Sequence, residues 1–215
     1  ELVGLGARPT PPKTPINFME NFYINKSKTW DKTSNYNGHT LVQDAFLSAV
    51  RIKKNLRILD LGCGTGSLAK FFRPFAQTLN GLDSSPHMLN IAQKTMLYDN
   101  LYEEDIEIHL QNNLSQYNVI IAAAVFIHFL DLQRVLSLAR DRLVNDGEIL
   151  FSVFESTASE QRINDFLMYS HSHQYIVRLA ETLQFDVIYE RKSVHEYDGK
   201  DPIYALIYVF KKKLV

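Results

Sequence analysis

The chain has 215 residues, of which 46% are hydrophobic and 22% are charged, and this composition is sufficient for one well-buried core. A formal net charge of -1 excludes the broad basic field that drives non-specific nucleic-acid binding. The single cysteine excludes an internal disulfide, and no apolar stretch approaches the length of a membrane span. We therefore predict a cytoplasmic domain with no membrane segment and no broad nucleic-acid surface.

The amino-terminal region divides into two parts by composition. Residues 1–17 are rich in proline and glycine, and we interpret them as a linker. Residues 18–50 begin with an aromatic-rich stretch that contains Tyr23 and Trp30, and they end in a predicted helix. We interpret residues 18–50 as a helical lid or cap that excludes water from a ligand, although the aromatic rings could equally cover the edge of a sheet.

The most informative stretch begins at Ile58 and reads ILDLGCGTG. Its apolar start and Asp60 are typical of a buried parallel strand, and the alternate glycines let the backbone turn sharply against a ligand. The G-x-G-x-G spacing differs from the dinucleotide fingerprint G-x-G-x-x-G, and the lysine of a Walker loop is absent. Residues 62–66, hereafter the glycine loop, are therefore predicted to bind a nucleotide-type cofactor other than NAD or ATP.

A second acidic residue, Asp83, ends the next apolar run about twenty residues beyond the glycine loop, where a ribose-binding carboxylate is expected. Asp83 would accept hydrogen bonds from both hydroxyl groups of a ribose. Ser85 then fits the N-cap of a helix whose first residue is Pro86. The two acids and the glycine loop together indicate a nucleoside site at the ends of two neighbouring strands.

The remaining pattern alternates between strands and helices, which predicts a doubly wound α/β domain over residues 51–215. Strands are predicted at 78–82, 106–110, 119–123, 148–154, 185–189 and 203–210, with a polar loop at 193–202 that would join the last two as an antiparallel hairpin. Helices are predicted at 40–50, where Thr40 and Gln43 form a capping box, at 132–143, which Asn145-Asp146-Gly147 would stop, and at 176–183.

These motifs resemble those of a known family. LDLGCGTG and the acid Asp83 resemble the first two motifs of class I S-adenosylmethionine-dependent methyltransferases, and the likeness extends over residues 57–211. The stretches GLGARPTPP, SSPHMLNIAQKTMLYDNLY and YSHSHQYIVRLAETLQF are similar to bacterial methyltransferases associated with tetratricopeptide repeats. The resemblance implies a Rossmann-like, mostly parallel seven-stranded sheet with a carboxyl-terminal antiparallel hairpin. It also implies S-adenosylmethionine as cofactor, S-adenosylhomocysteine as product, and a tetratricopeptide-repeat region upstream.

The resemblance implies cofactor contacts at the strand ends, where ligands of open α/β sheets bind. Asp60 and the glycine loop would face the methionine part of the cofactor, and Asp83 would face the ribose. The set of predicted cofactor contacts is Asp60, Gly62, Cys63, Gly64, Gly66, Asp83, Ser84, Met88, Asn112, Asn113, Ala123, Tyr23 and Trp30.

Several members of this set have a structural alternative. Asn112 or Asn113 would offer an amide to the adenine edge, or would cap a turn. Met88 would contact the adenine, or would pack within its helix. Cys63 is more simply a packing residue of the glycine loop than a nucleophile.

One position departs from the family pattern. The fourth motif of similar proteins usually resembles AADV, whereas residues 122–125 read AAAV, so Ala124 replaces an acid. Any role of that acid in catalysis or in orienting the acceptor therefore does not transfer to this chain. The main hypothesis is a methyltransferase acting on a small molecule or a protein side chain. The alternative is a catalytically inactive methyltransferase-like fold that binds the cofactor or a partner.

Methyl transfer needs few special side chains, because a sulfonium is already an activated donor and positioning supplies most of the acceleration. For an alcohol, phenol or protonated amine acceptor, His128 is the candidate general base, with a structural histidine as an equal alternative. Tyr169, His171 and Tyr175 are candidates for the border of the acceptor pocket. Ser172 fits a helix cap and no third ligand has a fitting spacing, so no metal site is predicted.

Overall fold

The computed structural model describes residues 12–15, 37–157, 162–163 and 168–214. The helices are α1 (Gly38–Ala49), α2 (Ala69–Phe72), α3 (Pro86–Lys94), α4 (Ile106–Asn112), α5 (Gln133–Arg142) and α6 (His173–Thr182). The strands are β1 (Leu56–Leu61), β2 (Ala76–Asp83), β3 (Asn100–Glu103), β4 (Tyr117–Ala122), β5 (Leu143–Glu155), β6 (Arg162–Ile163), β7 (Tyr169–His171), β8 (Phe185–Asp198) and β9 (Asp201–Lys212). Short 3-10 helices occupy Arg73–Phe75 and Phe126–His128.

The strands of the described ranges form a single mixed sheet. Strands β3, β2, β1, β4 and β5 lie side by side in that order and are parallel. Strand β9 then pairs antiparallel with β5, and β8 pairs antiparallel with β9. The predicted doubly wound fold, with its parallel sheet and carboxyl-terminal antiparallel hairpin, is therefore confirmed. The two short strands β6 and β7 were not predicted and add to the expected seven. The third strand of the sheet order along the chain is β3 at Asn100–Glu103, not the predicted segment 106–110.

The short strand β7 extends the sheet beyond the carboxyl end of β4. Phe154 of β5 pairs both with Ser170 of β7 and with Ala205 of β9, so these two strands lie on opposite sides of β5. Strand β7 consequently lies in line with β4, beyond its carboxyl end. The chain order reverses between β1 and β4, and the crevice outside their carboxyl ends is the position at which open α/β sheets bind ligands.

Alternation along the strands buries both faces of the sheet. Ile58 and Leu59 of β1 are both fully buried and belong to separate apolar clusters, because successive side chains point to opposite faces. On the face of Ile58, α1 inserts Phe46 against Phe72, with ring centroids 5.0 Å apart. On the other face, residues of helices α4, α5 and α6 belong to the same apolar cluster as Leu59. Helix α1 was predicted to be part of a lid or cap over residues 18–50. In the structure it packs on the sheet.

The segment 106–110 was predicted as a strand, and this prediction is wrong because the residues form helix α4. Ile-Glu-Ile-His-Leu alternates apolar and polar residues, which is typical of a strand, but Ile108 is 52% exposed. Asp105 is the N-cap, since its Oδ1 accepts hydrogen bonds from the amides of Glu107 and Ile108 at 2.9 and 3.2 Å. The side chains buried by the helix are those at 106, 109 and 110.

Several predicted boundaries also differ. The polar stretch 193–202 is not a loop, because cross-strand pairing with β9 continues to Asp198 and leaves only residues 199–200 between the strands. Helix α5 ends at Arg142, and Asn145-Asp146-Gly147 lies within β5. Helix α1 begins after Asn37 without a side-chain cap, so the capping box at Thr40 does not form. The caps predicted at Ser85 and Ser172 are confirmed.

Across the described part of the chain, no helix is both long and apolar enough to cross a membrane.

Candidate active site

A cavity of about 600 Å³ lies at the carboxyl ends of β1, β2 and β4. Its walls are the glycine loop, the turn from β2 into α3, the start of α4, the segment after β4, and residues 12–15. Of the predicted cofactor contacts, those that line the cavity are Gly62, Gly64, Asp83, Ser84, Met88 and Ala123. Tyr23 and Trp30 lie outside the described residues.

The glycine loop brings its backbone to the cavity wall. Gly62 has a φ of +64° and Gly64 a φ of +55°, which is the left-handed region that favours glycine. A Cβ added at Gly62 would lie 2.5 Å from Cγ2 of Val125, so the loop packs directly against the segment after β4. A Cβ added at Gly64 would meet no atom within 4 Å. The backbone of Gly64, which lines the cavity, is therefore open to a ligand.

Asp83 joins the end of β2 to the glycine loop. Its Oδ2 accepts a hydrogen bond from the amide of Gly64 at 2.9 Å, and its Oδ1 accepts one from the amide of Ser85 at 2.9 Å. Burial raises the pKa of the Asp83 carboxyl, and the two amide bonds oppose that rise. Each oxygen keeps a further lone pair, so a carboxylate here can also accept bonds from a ligand hydroxyl.

Asp60, a predicted cofactor contact, lies at the end of β1 behind the glycine loop and is not among the residues that line the cavity. It is 2% exposed, and its Oδ2 accepts a hydrogen bond from the hydroxyl of Tyr98 at 2.7 Å. Burial raises the pKa of Asp60 to about 7, Tyr98 opposes this rise, and the charge of Asp83 adds to it. The sequence predicted Asp60 and missed Tyr98.

Cys63 and Gly66 also lie behind the cavity wall rather than in it. The Cys63 thiol is buried, and burial together with the charges of Asp60 and Asp83 raises its pKa, which keeps the sulfur protonated. Its amide donates to the carbonyl of Leu82 at 2.9 Å, which ties the loop to β2. Cys63 is therefore a packing residue, and a protonated buried thiol is a poor nucleophile.

The start of α4 forms another part of the cavity wall. Asp105 and Ile106 line it, whereas Asn112 and Asn113 are at the far end of that helix and do not. The prediction that these asparagines meet an adenine assumed a strand ending near 110, whereas that segment is helix α4. Asn113 instead caps a turn, since its Oδ1 accepts from the amide of Ser115 at 2.9 Å. Asp105 directly precedes the apolar positions of α4 and is a helix-start signal in the sequence. This signal could have identified the start of α4 as part of the cavity wall.

His128 lies in the 3-10 helix after β4 and lines the cavity. It is 6% exposed, and burial lowers its pKa to about 4, so the ring is neutral near pH 7. Its Nδ1 is 3.4 Å from Oγ1 of Thr14, and its backbone carbonyl accepts a hydrogen bond from the Thr14 amide at 2.9 Å. A neutral imidazole in a cavity wall can accept a proton from a bound group.

Residues 12–15, hereafter the strap, cross the cavity and were predicted only as part of a linker. The strap pairs with the segment after β4, where Leu130 donates its amide to the carbonyl of Pro12 at 3.0 Å. On the other side, the Lys13 ammonium is 3.2 Å from Oδ2 of Asp105 and also contacts the Glu107 carboxylate. The strap therefore connects the segment after β4 with α4. Both lie far from the strap in the sequence, so no local sequence pattern predicts these contacts.

The three predicted acceptor residues lie near the cavity but do not line it. Tyr169 and His171 are fully buried in β7, and burial lowers the pKa of His171 to about 4. Tyr175 stacks on His171 and donates its hydroxyl to Oδ1 of Asp131 at 2.6 Å. Because Asp131 lines the cavity, Tyr175 reaches the site only through that carboxylate. Within the described ranges, no group of three or more His, Cys, Asp or Glu could hold a metal ion.

Ala124 contributes backbone rather than an acid to the cavity wall. It has a φ of +54°, and its amide donates to Oγ of Ser152 at 2.9 Å. A non-glycine residue in the left-handed region is a local strain of the kind that clusters at ligand sites. The hydrogen bond to Ser152 holds this strained turn at the point where β4 opens onto the cavity.

Comparison with known proteins agrees with this geometry. Residues 35–195 match the model of a family described as a methyltransferase domain. The ubiquinone biosynthesis O-methyltransferase of Salmonella paratyphi A is 27% identical over 135 residues, which cover 61% of this chain and 54% of that protein. The chain thus spans about half the length of the curated relatives it matches.

Solved structures share the fold at low sequence identity. The 1,6-didemethyltoxoflavin-N1-methyltransferase of Burkholderia thailandensis, with bound 1,6-didemethyltoxoflavin and S-adenosylhomocysteine, has a TM-score of 0.71 at 13% identity and covers 96% of this chain and 94% of its own. The magnesium protoporphyrin IX methyltransferase of Synechocystis PCC 6803, with bound S-adenosylmethionine, has a TM-score of 0.67 at 18% identity, with coverages of 92% and 96%. With three quarters of its residues within the family match and with this sheet order, the chain belongs to the S-adenosylmethionine-dependent methyltransferases of the class I fold.

Proposed function

We propose that the chain binds S-adenosylmethionine in the cavity and catalyses methyl transfer to a small-molecule acceptor. The observation that carries this proposal is the position of Asp83, a cavity-lining carboxylate that also fixes the open glycine loop. A ribose diol is the ligand group that such a carboxylate recognises best. The family match and the shared fold support the same function.

The residues of the cavity fit this cofactor. The backbone at Gly62 and Gly64 leaves no side chain between the loop and a ligand. Asp83 would hold the ribose, and the apolar side chains of Met88 and Ile106 would border a flat base beside Asp105. When bound, S-adenosylmethionine supplies a methyl group on a positively charged sulfur. The surrounding carboxylates favour such a cation through charge.

The acceptor would occupy the part of the cavity between the glycine loop and the strap. The cavity lining contributed by the segment after β4 includes His128, Phe129 and Asp131. In its neutral form His128 would take the proton that a hydroxyl or protonated amine must lose, and Thr14 would orient the ring. A cavity of about 600 Å³ suits a cofactor with a compact acceptor better than a folded protein surface. The small cyclic acceptor in the Burkholderia structure, named above, is of this kind.

An inactive binding module is the less favoured alternative. Ala124 stands where similar proteins usually have an acid, but methyl transfer depends chiefly on positioning. The cavity retains the glycine loop, Asp83 and a candidate base. We further propose that the aromatic-rich stretch of residues 18–50, with Tyr23 and Trp30, acts as a lid for the cofactor, that the protein is cytoplasmic, and that tetratricopeptide repeats precede this domain. The lid rests on the aromatic residues of that stretch and the location on composition, whereas the repeats rest on the resemblance. The full-length gene product and its fractionation test the repeats and the location.

The proposal is tested in two steps. Calorimetric titration with S-adenosylmethionine, S-adenosylhomocysteine and NAD should show binding of the two sulfur compounds and none of NAD. A screen of phenols, N-heterocycles and carboxylic acids with methyl-labelled cofactor should then reveal a labelled small molecule. Labelling that requires His128 would support the base assignment. A folded chain that binds neither sulfur compound would refute the proposed function.

A further inference from the structure

Tyr98 lies in the connection between α3 and β3, outside the cavity lining, and its side chain points under the glycine loop. Its hydroxyl donates a hydrogen bond of 2.7 Å to Oδ2 of Asp60. The two residues are 38 positions apart, so the contact is a product of the tertiary fold. It joins a partly buried phenol to an acid that is 2% exposed.

Two glycines leave space for the Tyr98 ring. A Cβ added at Gly66 would lie 3.1 Å from its Cε2, and a Cβ added at Gly81 would lie 3.0 Å from its Cε1. Gly66 belongs to the glycine loop and Gly81 to β2, so the ring lies between the two elements that build the cofactor site. A Cβ added at Gly81 would also lie 2.8 Å from Cδ2 of Leu101 and 2.9 Å from Sγ of Cys63, so this glycine makes room for those side chains as well as for the ring.

Besides burial, the groups that act on the pKa of Asp60 are Tyr98 and Asp83. Asp83 carries the same charge as an ionised Asp60 and disfavours that form, and the protonated thiol of Cys63 offers no positive charge. Burial disfavours the ionised form most strongly. The Tyr98 hydroxyl is therefore the group in this set that stabilises the carboxylate.

We propose that Tyr98 is a positioning residue that holds Asp60 as a carboxylate behind the glycine loop, where its charge favours the positively charged methionine part of the cofactor. The proposal rests on the proposed function for the identity of the ligand. Asp60 acts across the loop through its charge, because it does not itself line the cavity. Tyr98 acts only through Asp60.

The first test needs no cofactor. A carbon-13 NMR titration of the aspartate carboxyl groups in the free protein should show one group near pH 7, assigned to Asp60 by its loss in Asp60→Asn. Tyr98→Phe keeps the ring and removes only the hydroxyl. Loss of the hydroxyl should raise the titration midpoint of Asp60 by about one pH unit, since a hydrogen bond to a charged group stabilises the charged form by roughly the equivalent free energy. An unchanged midpoint would overturn the proposal.

The second test is calorimetric titration with S-adenosylmethionine at pH 7 and pH 9. If only the ionised fraction binds well, Tyr98→Phe should weaken binding about fivefold at pH 7 and hardly at all at pH 9. The control is Tyr117→Phe, which removes a buried hydroxyl at the amino end of β4 and should leave affinity unchanged at both values.

A merely structural role for Tyr98 would weaken binding equally at pH 7 and pH 9, and that result would overturn the proposal. Asp60→Asn supplies a second variant, whose affinity should be weak and independent of pH between 6 and 9. A wild-type affinity equally independent of pH would likewise overturn it. Failure of the proposed function can be distinguished from failure of this proposal. In that case the wild-type chain would not bind S-adenosylmethionine, while the NMR midpoints of Asp60 in the wild-type chain and in Tyr98→Phe would still differ.

Discussion

The carboxylate of Asp83 accepts a hydrogen bond of 2.9 Å from the amide of Gly64, 19 residues earlier in the chain. This single contact joins the two motifs that the sequence shows separately, the glycine loop and the acid at the end of β2. Asp83 therefore has two tasks, because it shapes the loop and also lines the cavity. A substitution at Asp83 must disturb both.

Replacement of Asp83 by alanine should weaken S-adenosylmethionine binding by more than tenfold. Each hydrogen bond to a charged group contributes roughly 1.5 to 3 kcal/mol, and the variant loses those to the ligand as well as those to Gly64 and Ser85. Calorimetric titration measures the affinity, and thermal unfolding reports the loss of the loop contacts. Asp186→Ala, at an exposed ion pair with Lys213, is the control and should bind normally. Unchanged affinity in the Asp83 variant would refute its assignment.

The sequence predicts those parts of the site that local patterns define. The strand ending in Asp60, the glycine loop and Asp83 each follow from a run of apolar residues with an acid or glycines at its end, and right-handed crossovers then order the strands. Local patterns mispredict the segment from Ile106 to Leu110. Its alternation of apolar and polar residues fits a strand, but the spacing of its buried positions 106, 109 and 110 fits a helix. Only the cap at Asp105 and the neighbouring sheet decide between them.

The rest of the site depends on contacts between distant residues. Lys13 meets Asp105 across 92 positions, and Tyr98 meets Asp60 across 38. Neither pair has a spacing that a helix or strand would impose. A proline-rich stretch before a domain is typical of a linker, so the strap gives no signal of its role in the cavity. Such contacts emerge only once the sheet has brought its strand ends together.

Alanine at Gly62 and at Gly64 should have different consequences, although both residues have positive φ. At Gly62 the new Cβ would lie 2.5 Å from Val125, so steric conflict adds to the roughly 1 to 2 kcal/mol that a left-handed alanine costs. At Gly64 only the conformational cost applies to folding, but the Cβ would point into open space at the cavity wall. We expect a larger loss of unfolding free energy in Gly62→Ala than in Gly64→Ala, measured by urea denaturation.

Cofactor affinity completes this comparison. Gly64→Ala should remain folded at 25 °C and yet bind S-adenosylmethionine at least tenfold more weakly, because a single methyl group blocks backbone approach to the ligand. Gly199→Ala is a suitable control, since Gly199 also has a positive φ and open space but lies in the turn between β8 and β9. Equal binding by the Gly64 and Gly199 variants would show that the glycine loop does not touch the cofactor.

His128→Ala should lower kcat by roughly a hundredfold or more for a hydroxyl acceptor while changing cofactor affinity little. The base works when deprotonated, and burial lowers its pKa to about 4, so kcat at saturating S-adenosylmethionine should persist as the pH falls towards 5. The same shift affects stability. Because the pKa lies below 6.5 in the folded chain, the unfolded state takes up protons first, and the His128 contribution is lost as the pH falls from 6.5 to 4.

The pH profile of kcat in the wild-type chain measures the first effect, and urea unfolding at pH 7 and pH 5 measures the second. His87→Ala, on the exposed side of α3, serves as the control and should keep the wild-type turnover. A His128 variant with full turnover would remove this residue from the proposed reaction. An acid limb near pH 6.5 in kcat at saturating S-adenosylmethionine would contradict the buried, neutral ring.

Loss of the Lys13 ammonium should let the cofactor leave faster. Lys13 holds the strap to Asp105 and Glu107 at α4, and its Nζ also lies 4.9 Å from the centre of the Phe129 ring. Because Lys13 and Asp105 are about one-third exposed, the ion pair is worth at most about 1 kcal/mol, which corresponds to no more than about a fivefold change. Stopped-flow displacement of S-adenosylhomocysteine from Lys13→Gln should show such an increase in dissociation rate.

Salt separates this effect from a general loss of packing. Raising sodium chloride from 50 to 500 mM should speed dissociation from the wild-type chain, because ions screen the Lys13 pair, and should have less effect on Lys13→Gln, in which the pair is already absent. Lys211→Gln removes an ion pair with Asp146 at the opposite end of the sheet and should keep both the wild-type rate and its salt dependence. If Lys13→Gln keeps the full salt dependence, the strap does not retain the cofactor through this contact.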